Sequence, residues 1–290
     1  MNKIKIWIEA MRVRTLPVSV AGVIGAWAVA VHTGEYEWIP GVICLIFAIL
    51  CQIASNFANE YYDFRAGRDR AGREGPRRGV TEGDISPAAM LNAIYGVLGV
   101  AALVGLSLCL WGGWWLIAAG VLIGLGALAY STGPYPLSTH GLGEVAVFFF
   151  FGIIPVNLTF YVMTGTWSLE ALEVAAAIGL MGANVLIVNN YRDIPDDIAV
   201  GKRTLAVILG PRSMYTLYLV NAMLAAVAII PFCRHFGDTA LLIPLGYLVA
   251  ARFIAGQLRQ RSGAALTPLL GMTSMLMFLT SAALLVLTSL

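Results

Sequence analysis

Charged residues are scarce in this sequence of 290 residues: Lys, Arg, Asp and Glu make up 12% of it, while hydrophobic residues make up 59%. Soluble proteins carry about 25% charged residues, so this chain has too few of them to cover a surface that faces water. Apolar runs of about 20 residues, the length that crosses a bilayer as a helix, recur along the chain. The composition therefore excludes a soluble domain and predicts an all-α, polytopic membrane protein.

Residues that bind metals through sulfur or imidazole are also few. The chain has four cysteines, Cys44, Cys51, Cys109 and Cys233. They lie in or beside apolar runs and form no CxxC pair, so we interpret them as packing residues. The chain has three histidines, His32, His140 and His235. Because these histidines are far apart in the sequence and are expected in loops, we predict no zinc site among them.

Nine apolar runs are predicted as transmembrane helices. They cover residues 16–31, 39–62, 88–111, 114–130, 143–163, 169–191, 214–232, 239–257 and 266–290. Residues 2–14 alternate apolar and charged side chains at helical spacing, which is typical of a helix at the membrane surface. We therefore predict one integral-membrane domain over residues 1–290, with nine helices around a central cavity that opens to the cytoplasmic side. A weak similarity between residues 1–131 and 141–257 suggests a duplicated helical unit.

The basic residues are distributed unevenly between the two ends of these helices. When each end is counted with its adjoining loop, all 18 Lys and Arg except Arg234 fall on the side of the N-terminus. Loops rich in Lys and Arg stay in the cytoplasm. We therefore expect a multi-pass protein of the cell (inner) membrane, with its N-terminus in the cytoplasm and its C-terminus outside. We expect membrane lipid around it and no nucleic-acid partner, and the sequence leaves its oligomeric state open.

Two clusters of acidic and amide residues lie at the ends of apolar runs. The first consists of Asn59, Asp63 and Asp69, and the second of Asn189, Asn190, Asp193, Asp196 and Asp197. Ionisable groups in or beside membrane spans are functional candidates, and such oxygen ligands suit Mg²⁺ that also binds substrate phosphates. The alternative is two solvated helix ends whose acids neutralise nearby arginines. That alternative explains neither the asparagines nor the presence of a second cluster.

The spacing within the first cluster suggests how it would bind a metal. Asn59 and Asp63 are four residues apart, so on a helix they share one face and can both bind one ion. Asp69 follows Gly67 and is expected to reach back from a loop.

The second cluster repeats this spacing with one interruption. Asp193 and Asp197 are again four residues apart. Pro195 lies between them, however, and a proline is expected to end or kink the helix near Ile194. The spacing therefore predicts a shared helical face for Asp193 and Asp197 less strongly than for the first cluster, and Asp196 competes with Asp197 as a ligand.

Basic residues follow both clusters. Arg77 and Arg78 lie in the compact turn 75–79, and Lys202 and Arg203 follow the second cluster. Cations of this kind suit the charge of a diphosphate, and an Arg fork can bind phosphate oxygens in pairs. The alternative for each of them is ordinary charge on a cytoplasmic loop.

Together these motifs resemble those of the UbiA superfamily of intramembrane aromatic prenyltransferases. Asn59-Glu60-x-x-Asp63 with Asp69, and Asp193-x-x-x-Asp197 followed by residues 201–206, resemble its two signature motifs. Shorter motifs resemble the branch of 1,4-dihydroxy-2-naphthoate polyprenyltransferases in the menaquinone pathway: residues 12–17, 58–63, 75–79, 133–137, 141–144 and 189–193. The resemblance runs from about residue 12 to residue 210, and the later spans match in hydrophobicity alone.

The resemblance implies a reaction and a set of roles. A polyprenyl chain would pass from an allylic diphosphate to the naphthoate with decarboxylation, and Mg²⁺ would bridge the acids to the diphosphate. Asp63, Asp193 and Asp197 are the expected catalytic residues, and together with Asn59 and Asp69 they are the expected metal ligands. Two alternatives stay open: an acceptor of another branch, such as 4-hydroxybenzoate, and an ion-coupled transporter, whose acids would be expected nearer the bilayer midplane.

The acceptor's carboxylate needs a cation, because a carboxylate that leaves water unpaired is costly. The resemblance implies that relatives acting on hydroxybenzoate have a Tyr followed four residues later by a Lys. Here Tyr130 is followed at that spacing by Pro134. We therefore expect the cation to be Arg14 or Arg192, with Tyr130 and Asn189 as further substrate-binding residues. Arg14 has an alternative interpretation as an arginine that extends to the membrane interface.

Overall fold

The computed structural model describes residues 3–70 and 77–289, so Gly75 and Pro76 of the predicted basic turn lie outside the described residues. Its α-helices are α1 (Lys3–Met11), α2 (Leu16–Thr33), α3 (Trp38–Arg65), α4 (Pro87–Ser107), α5 (Cys109–Gly112), α6 (Leu116–Ala129), α7 (Gly143–Val147), α8 (Ile154–Thr164), α9 (Leu169–Ala199), α10 (Leu205–Arg234), α11 (Leu242–Gln260) and α12 (Thr267–Leu287). Within the described ranges, eight helical stretches are long and apolar enough to cross a membrane. The predicted all-α membrane fold is confirmed.

The predicted fourth span differs from the other eight in length. Its helix, α6, has 14 residues, or about 21 Å at 1.5 Å per residue. The hydrocarbon core of a bilayer is about 30 Å thick. The fourth predicted span is therefore an apolar helix that is shorter than the core, and two exposed tryptophans, Trp114 and Trp115, precede it.

Helix α9 is the centre of the bundle. The apolar part of α9 is 72% buried, whereas that of the stretch Pro87–Gly112, which contains α4 and α5, is only 17% buried. A π-helical segment, Phe148–Ile153, packs against α9. A Cβ added to Gly152 would lie 2.3 Å from the Cα of Gly179 on α9. The two backbones touch at this point because neither residue has a side chain.

Helix α9 extends further than the sequence predicts. It contains Pro195 and continues to Ala199, so of the two outcomes expected near Ile194, an end or a kink, the end is wrong. Proline removes one hydrogen bond from a helix, but tertiary contacts hold the last turn, and the Lys202 N–H donates to the Asp197 carbonyl at 2.9 Å beyond it. The second cluster therefore lies on one continuous helix.

Candidate active site

The C-terminal ends of α3 and α9 bring the two acidic clusters together. Lys202, just beyond α9, donates from Nζ to Asp63 Oδ2 on α3 at 2.7 Å. Arg70, just beyond α3, forms an ion pair with Asp196 on α9. A small pocket between the helix ends is lined by Arg68, Asp69, Arg70, Asp196, Asp197, Val200 and Lys202. The charge of each cluster is therefore neutralised in part by a cation that follows the other cluster's helix.

Asp63 is fully buried at this junction, with 0% of its side chain exposed. Its Oδ2 accepts from Lys202, and its Oδ1 lies 4.0 Å from Arg68 NH1. Within the described ranges, Oδ1 has no hydrogen-bond partner. Buried polar atoms nearly always have one, so this oxygen is available to a further cation.

Asn59 is held by three neighbours. Its Oδ1 accepts from Arg12 NH2 at 2.8 Å and from Arg78 NH2 at 3.2 Å, and its Nδ2 donates to Ser131 Oγ at 3.2 Å. Arg12 has a left-handed backbone, with φ 53° and ψ 51°, which is uncommon for a residue other than glycine. No sequence pattern assigned Arg12 to the site, although Arg12 opens one of the family-like motifs. If Asn59 binds a metal through Oδ1, at least one arginine has to move away.

Asp69 reaches the site from the loop after α3, as its position beyond Gly67 suggested. Gly67 has φ 65° and turns the chain there. The Asp69 side chain is 2% exposed, and its Oδ2 lies 3.3 Å from Arg78 Nε and accepts from Thr81 Oγ1 at 3.2 Å. Arg78 therefore links Asn59 and Asp69 within the first cluster.

The second cluster is organised around Arg192. Its Nε and NH2 donate to the two carboxylate oxygens of Asp193 at 2.7 and 3.0 Å, and NH2 also donates to Asn189 Oδ1 at 3.0 Å. Asp197 accepts from Thr204 Oγ1 at 3.3 Å. The buried Arg192 guanidinium thus orients Asp193, and that role competes with the predicted contact to an acceptor carboxylate.

The other predicted basic residues have different surroundings. Arg77 is exposed and donates from Nε to Asp84 at 2.7 Å, a hydrogen bond that raises the pKa of Arg77 above its usual value. Arg203 is also exposed. Arg14 lies just before α2, where its backbone carbonyl accepts from Ser274 Oγ on α12 at 3.1 Å. Arg77 is therefore directed to an acid of its own loop rather than to either cluster.

An apolar cavity of about 510 Å³ lies between α3, α4, α6 and α8. Its few polar lining residues include Gln52 and Tyr130. Ser131, the next residue after Tyr130, is the hydrogen-bond partner of Asn59. The cavity therefore approaches the first acidic cluster where α6 ends.

Two buried glutamates were not assigned from the sequence. Glu60 on α3 accepts from the Val80 N–H at 3.0 Å. Glu144 accepts from Asn190 Nδ2 at 2.9 Å, which provides the partner that an acid at a span entrance needs. The signal for both was their position in short family-like motifs, but the sequence did not indicate which groups they would contact.

Comparison with known proteins identifies the family. The UbiA prenyltransferase family matches residues 18–282. The chain is 35% identical over 272 residues to the 1,4-dihydroxy-2-naphthoate octaprenyltransferase of Mycobacterium tuberculosis, which covers 93% of this chain and 92% of that protein. It is 32% identical over 285 residues to the protein of the same name from Escherichia coli, with 94% and 91% covered.

Solved structures share the fold. A UbiA homolog from Archaeoglobus fulgidus bound to GPP and Mg²⁺ has a TM-score of 0.64 at 16% identity, with 97% of this chain and 99% of that chain covered. The apo structure of a UbiA homolog from Aeropyrum pernix K1 has a TM-score of 0.70 at 14% identity, with 92% and 97% covered. At these identities the likeness supports the fold alone.

Proposed function

The chain belongs to the UbiA prenyltransferase family, and we propose that it transfers a polyprenyl chain from an allylic diphosphate to 1,4-dihydroxy-2-naphthoate. The acceptor loses its carboxylate as CO₂ in the reaction, which gives demethylmenaquinol, the reduced form of demethylmenaquinone, for menaquinone biosynthesis. One observation carries this proposal: the two acidic clusters meet, together with Arg68, Arg70 and Lys202, beside an apolar cavity. The relatives named for this acceptor cover 93% and 94% of the chain.

The donor's diphosphate is the group that these charges fit. Bare aspartates would repel it, but Lys202 already neutralises Asp63 and Arg70 already neutralises Asp196. We infer that both cations turn towards the diphosphate oxygens when the donor binds, because Arg and Lys bind phosphate strongly. The movement of Lys202 leaves Asp63 available to a divalent metal.

The acidic residues fit Mg²⁺. Asp63 Oδ1 is a buried carboxylate oxygen without a hydrogen-bond partner among the described residues, and Mg²⁺ prefers one or two carboxylates together with substrate phosphates. We propose that Asp63, Asp69, Asp193 and Asp197 hold the metal, with Asn59 joining if its arginines release it. When bound, Mg²⁺ neutralises charge on the diphosphate.

The transfer step follows from the charges and the cavity. The bond between the prenyl C1 and the diphosphate oxygen breaks, and its electron pair leaves with the diphosphate. Lys202 and Arg70 stabilise the charge that grows on this leaving group. The electron-rich ring carbon that bears the carboxylate supplies the pair for the new bond to C1. The carboxylate then leaves as CO₂, and the electron pair of the broken C–C bond restores the aromatic ring. The cavity holds the prenyl tail and excludes the water that would otherwise react with C1.

The acceptor's carboxylate needs a cation. Arg192 is engaged with Asp193, so we propose for this role Arg14, an exposed arginine just before α2. The variant Arg14→Ala is expected to raise the KM for the naphthoate and to leave the KM for the prenyl diphosphate unchanged. Arg261→Ala, which removes an exposed arginine, serves as the matched control. An unchanged acceptor KM in Arg14→Ala would remove Arg14 from the site.

The function is tested with the purified protein, one polyprenyl diphosphate, Mg²⁺ and each aromatic acceptor in turn. We expect the prenylated, decarboxylated product from 1,4-dihydroxy-2-naphthoate, and no product after the metal is removed with EDTA. A preference for 4-hydroxybenzoate would assign the chain to another branch of the family. If no acceptor is prenylated, the reaction itself is wrong and an ion-coupled transporter becomes the better explanation.

We also propose that the acidic clusters face the cytoplasm of a cell (inner) membrane, because the loops beside them hold most of the basic residues. Single cysteines placed at exposed residues 84 and 238 should react with a membrane-impermeant reagent from opposite sides. Labelling of residue 84 from outside intact cells would contradict this orientation.

A further inference from the structure

Three side chains that can bind a metal meet at the end of the bundle opposite the acidic clusters. His32 lies in the last turn of α2, Glu170 in the first turn of α9, and His235 directly after α10. One ligand atom of each lies within 4.8 Å of the other two. Glu170 and Asp193 are separated by about 35 Å along α9, at 1.5 Å per residue. The His–Glu cluster of these three residues is therefore remote from the proposed active site.

No zinc site was predicted among the histidines because they are far apart in the sequence, yet two of them lie side by side in the fold. The ring centroids of His32 and His235 are 5.0 Å apart, although 203 positions, the difference between their numbers, separate them in the sequence. His32 also lies within a helix rather than in a loop. Helix packing brings the end of α2 beside the end of α10, which no local sequence pattern indicates.

The geometry of the His–Glu cluster is close to that of a tetrahedral site. Zinc is bound at about 2.0–2.1 Å by His nitrogen and carboxylate oxygen, which places two ligand atoms about 3.4 Å apart. His235 Nε2 and Glu170 Oε1 are already 3.2 Å apart. Because the His32 nitrogen lies within 4.8 Å of both atoms, a shift of at most about 1.5 Å would bring it to the same separation. Two imidazoles and a carboxylate leave a fourth position for water.

The surroundings favour a fixed ligand on one side and access on the other. The His32 ring lies edge-on to the buried Phe232, with centroids 5.5 Å apart, and 4.9 Å from the Phe236 ring. The side chains of His235 and Glu170 are 46% and 29% exposed. An ion can therefore reach the cluster from water, while the aromatic rings exclude water behind it and limit the movement of His32.

We propose that His32, Glu170 and His235 bind one transition-metal ion of the Zn²⁺ class, and that the ion ties together the ends of α2, α9 and α10. Imidazole ligands suit Zn²⁺, Cu²⁺ and Ni²⁺, whereas carboxylates and water suit Mg²⁺. This site therefore differs in its preferred metal from the acidic clusters. The proposal does not depend on the proposed prenyltransferase reaction.

The test uses the full-length protein in detergent with excess Mg²⁺, so that Mg²⁺ saturates the acidic clusters. Zn²⁺ is expected to raise the temperature of unfolding, because an ion that binds only the folded state stabilises it. Co²⁺, used in place of Zn²⁺, is expected to give the visible absorption of a tetrahedral site with one ion per chain.

Variants decide where the ion binds. Glu170→Gln and His235→Ala are each expected to weaken Zn²⁺ binding by at least about 100-fold, since even residues that only support a ligand contribute about 10- to 100-fold. His140→Ala, which removes the third histidine, and Asp63→Asn are expected to keep wild-type affinity. Glu170→Gln preserves the shape of the side chain and decides the matter if His235→Ala does not fold. The proposal is overturned if the wild type binds no Zn²⁺ under these conditions, if Glu170→Gln binds it as tightly as the wild type, or if Asp63→Asn loses it.

Discussion

The variant Asp63→Asn separates the structural role of Asp63 from its catalytic role. Asp63 and Lys202 form a buried ion pair at 2.7 Å, with side chains 0% and 10% exposed. Removing one partner of such a pair costs about 3–5 kcal/mol, because the remaining charge stays buried without compensation. Asparagine keeps an oxygen that can accept from Lys202, so we expect the lower end, about 3 kcal/mol, for the loss in free energy of unfolding.

The effect on the reaction is expected from a different cause. Asn cannot supply the charge of a metal ligand, and losing one charged ligand in an active site costs about 3 kcal/mol, or about 100-fold in turnover. The double variant Asp63→Asn/Lys202→Met removes both charges. Its stability should return towards the wild type, because a buried pair and its neutral replacement have similar stability. Its turnover should stay low.

Two measurements are needed for each variant. Turnover is assayed with saturating prenyl diphosphate, acceptor and Mg²⁺, and stability is followed by tryptophan fluorescence during unfolding in mixed micelles. Asp238→Asn, which changes an exposed acid just beyond the opposite end of α10, should change neither quantity. Near wild-type turnover of a well-expressed Asp63→Asn protein would refute the catalytic role. Recovery of turnover in the double variant would show that the single variant failed only because Lys202 lost its partner.

Two further predictions use the same measurements. Asp193→Asn is expected to lower turnover about as much as Asp63→Asn, about 100-fold, whereas Asp69→Asn, at the end of a loop, should lower it less; equal losses in the three variants would contradict this ranking. Gly152→Val would place a side chain against the backbone of α9, where a Cβ meets an atom at 2.3 Å, and is expected to destabilise the protein by about 3 kcal/mol. Gly246→Ala, whose Cβ would have no heavy atom within 4 Å, is the control, and equal stability of both glycine variants would show that this close packing is absent.

The sequence determined the class of fold and the positions of the acidic clusters along the chain. Long apolar runs leave a helix as the economical way to satisfy backbone hydrogen bonds in lipid, so the pattern alone predicts helices. Placing a carboxylate at the end of such a run costs free energy, so its presence indicates a function. This reasoning identified Asp63 and Asp193. These inferences depend on local patterns, and the structure agrees with the helical fold.

These local patterns could not predict which residues that are distant in the sequence would contact each other. Many arginines and lysines could have paired with Asp63, and the positions of the ends of α3 and α9 in the fold select Lys202, at 2.7 Å. In the same way Arg12 reaches Asn59 at 2.8 Å, although spacing predicted a metal ligand there. A buried charged side chain needs a partner of opposite charge, and this need can be inferred from the sequence. Which partner it contacts depends on the positions of the helices.

Local rules were also overruled where tertiary contacts were stronger. Pro195 predicts an end or a kink of the helix, yet α9 continues to Ala199. The helix is buried in the centre of the bundle, and Arg70 from the loop after α3 forms an ion pair with Asp196 near its end. No metal site was predicted for His32 and His235 because they are far apart in the sequence, and the helix ends place their rings 5.0 Å apart. Side-chain packing over the whole bundle determines both outcomes. For α9, the proline removes one hydrogen bond of the helix, whereas burial of the helix provides many packing contacts.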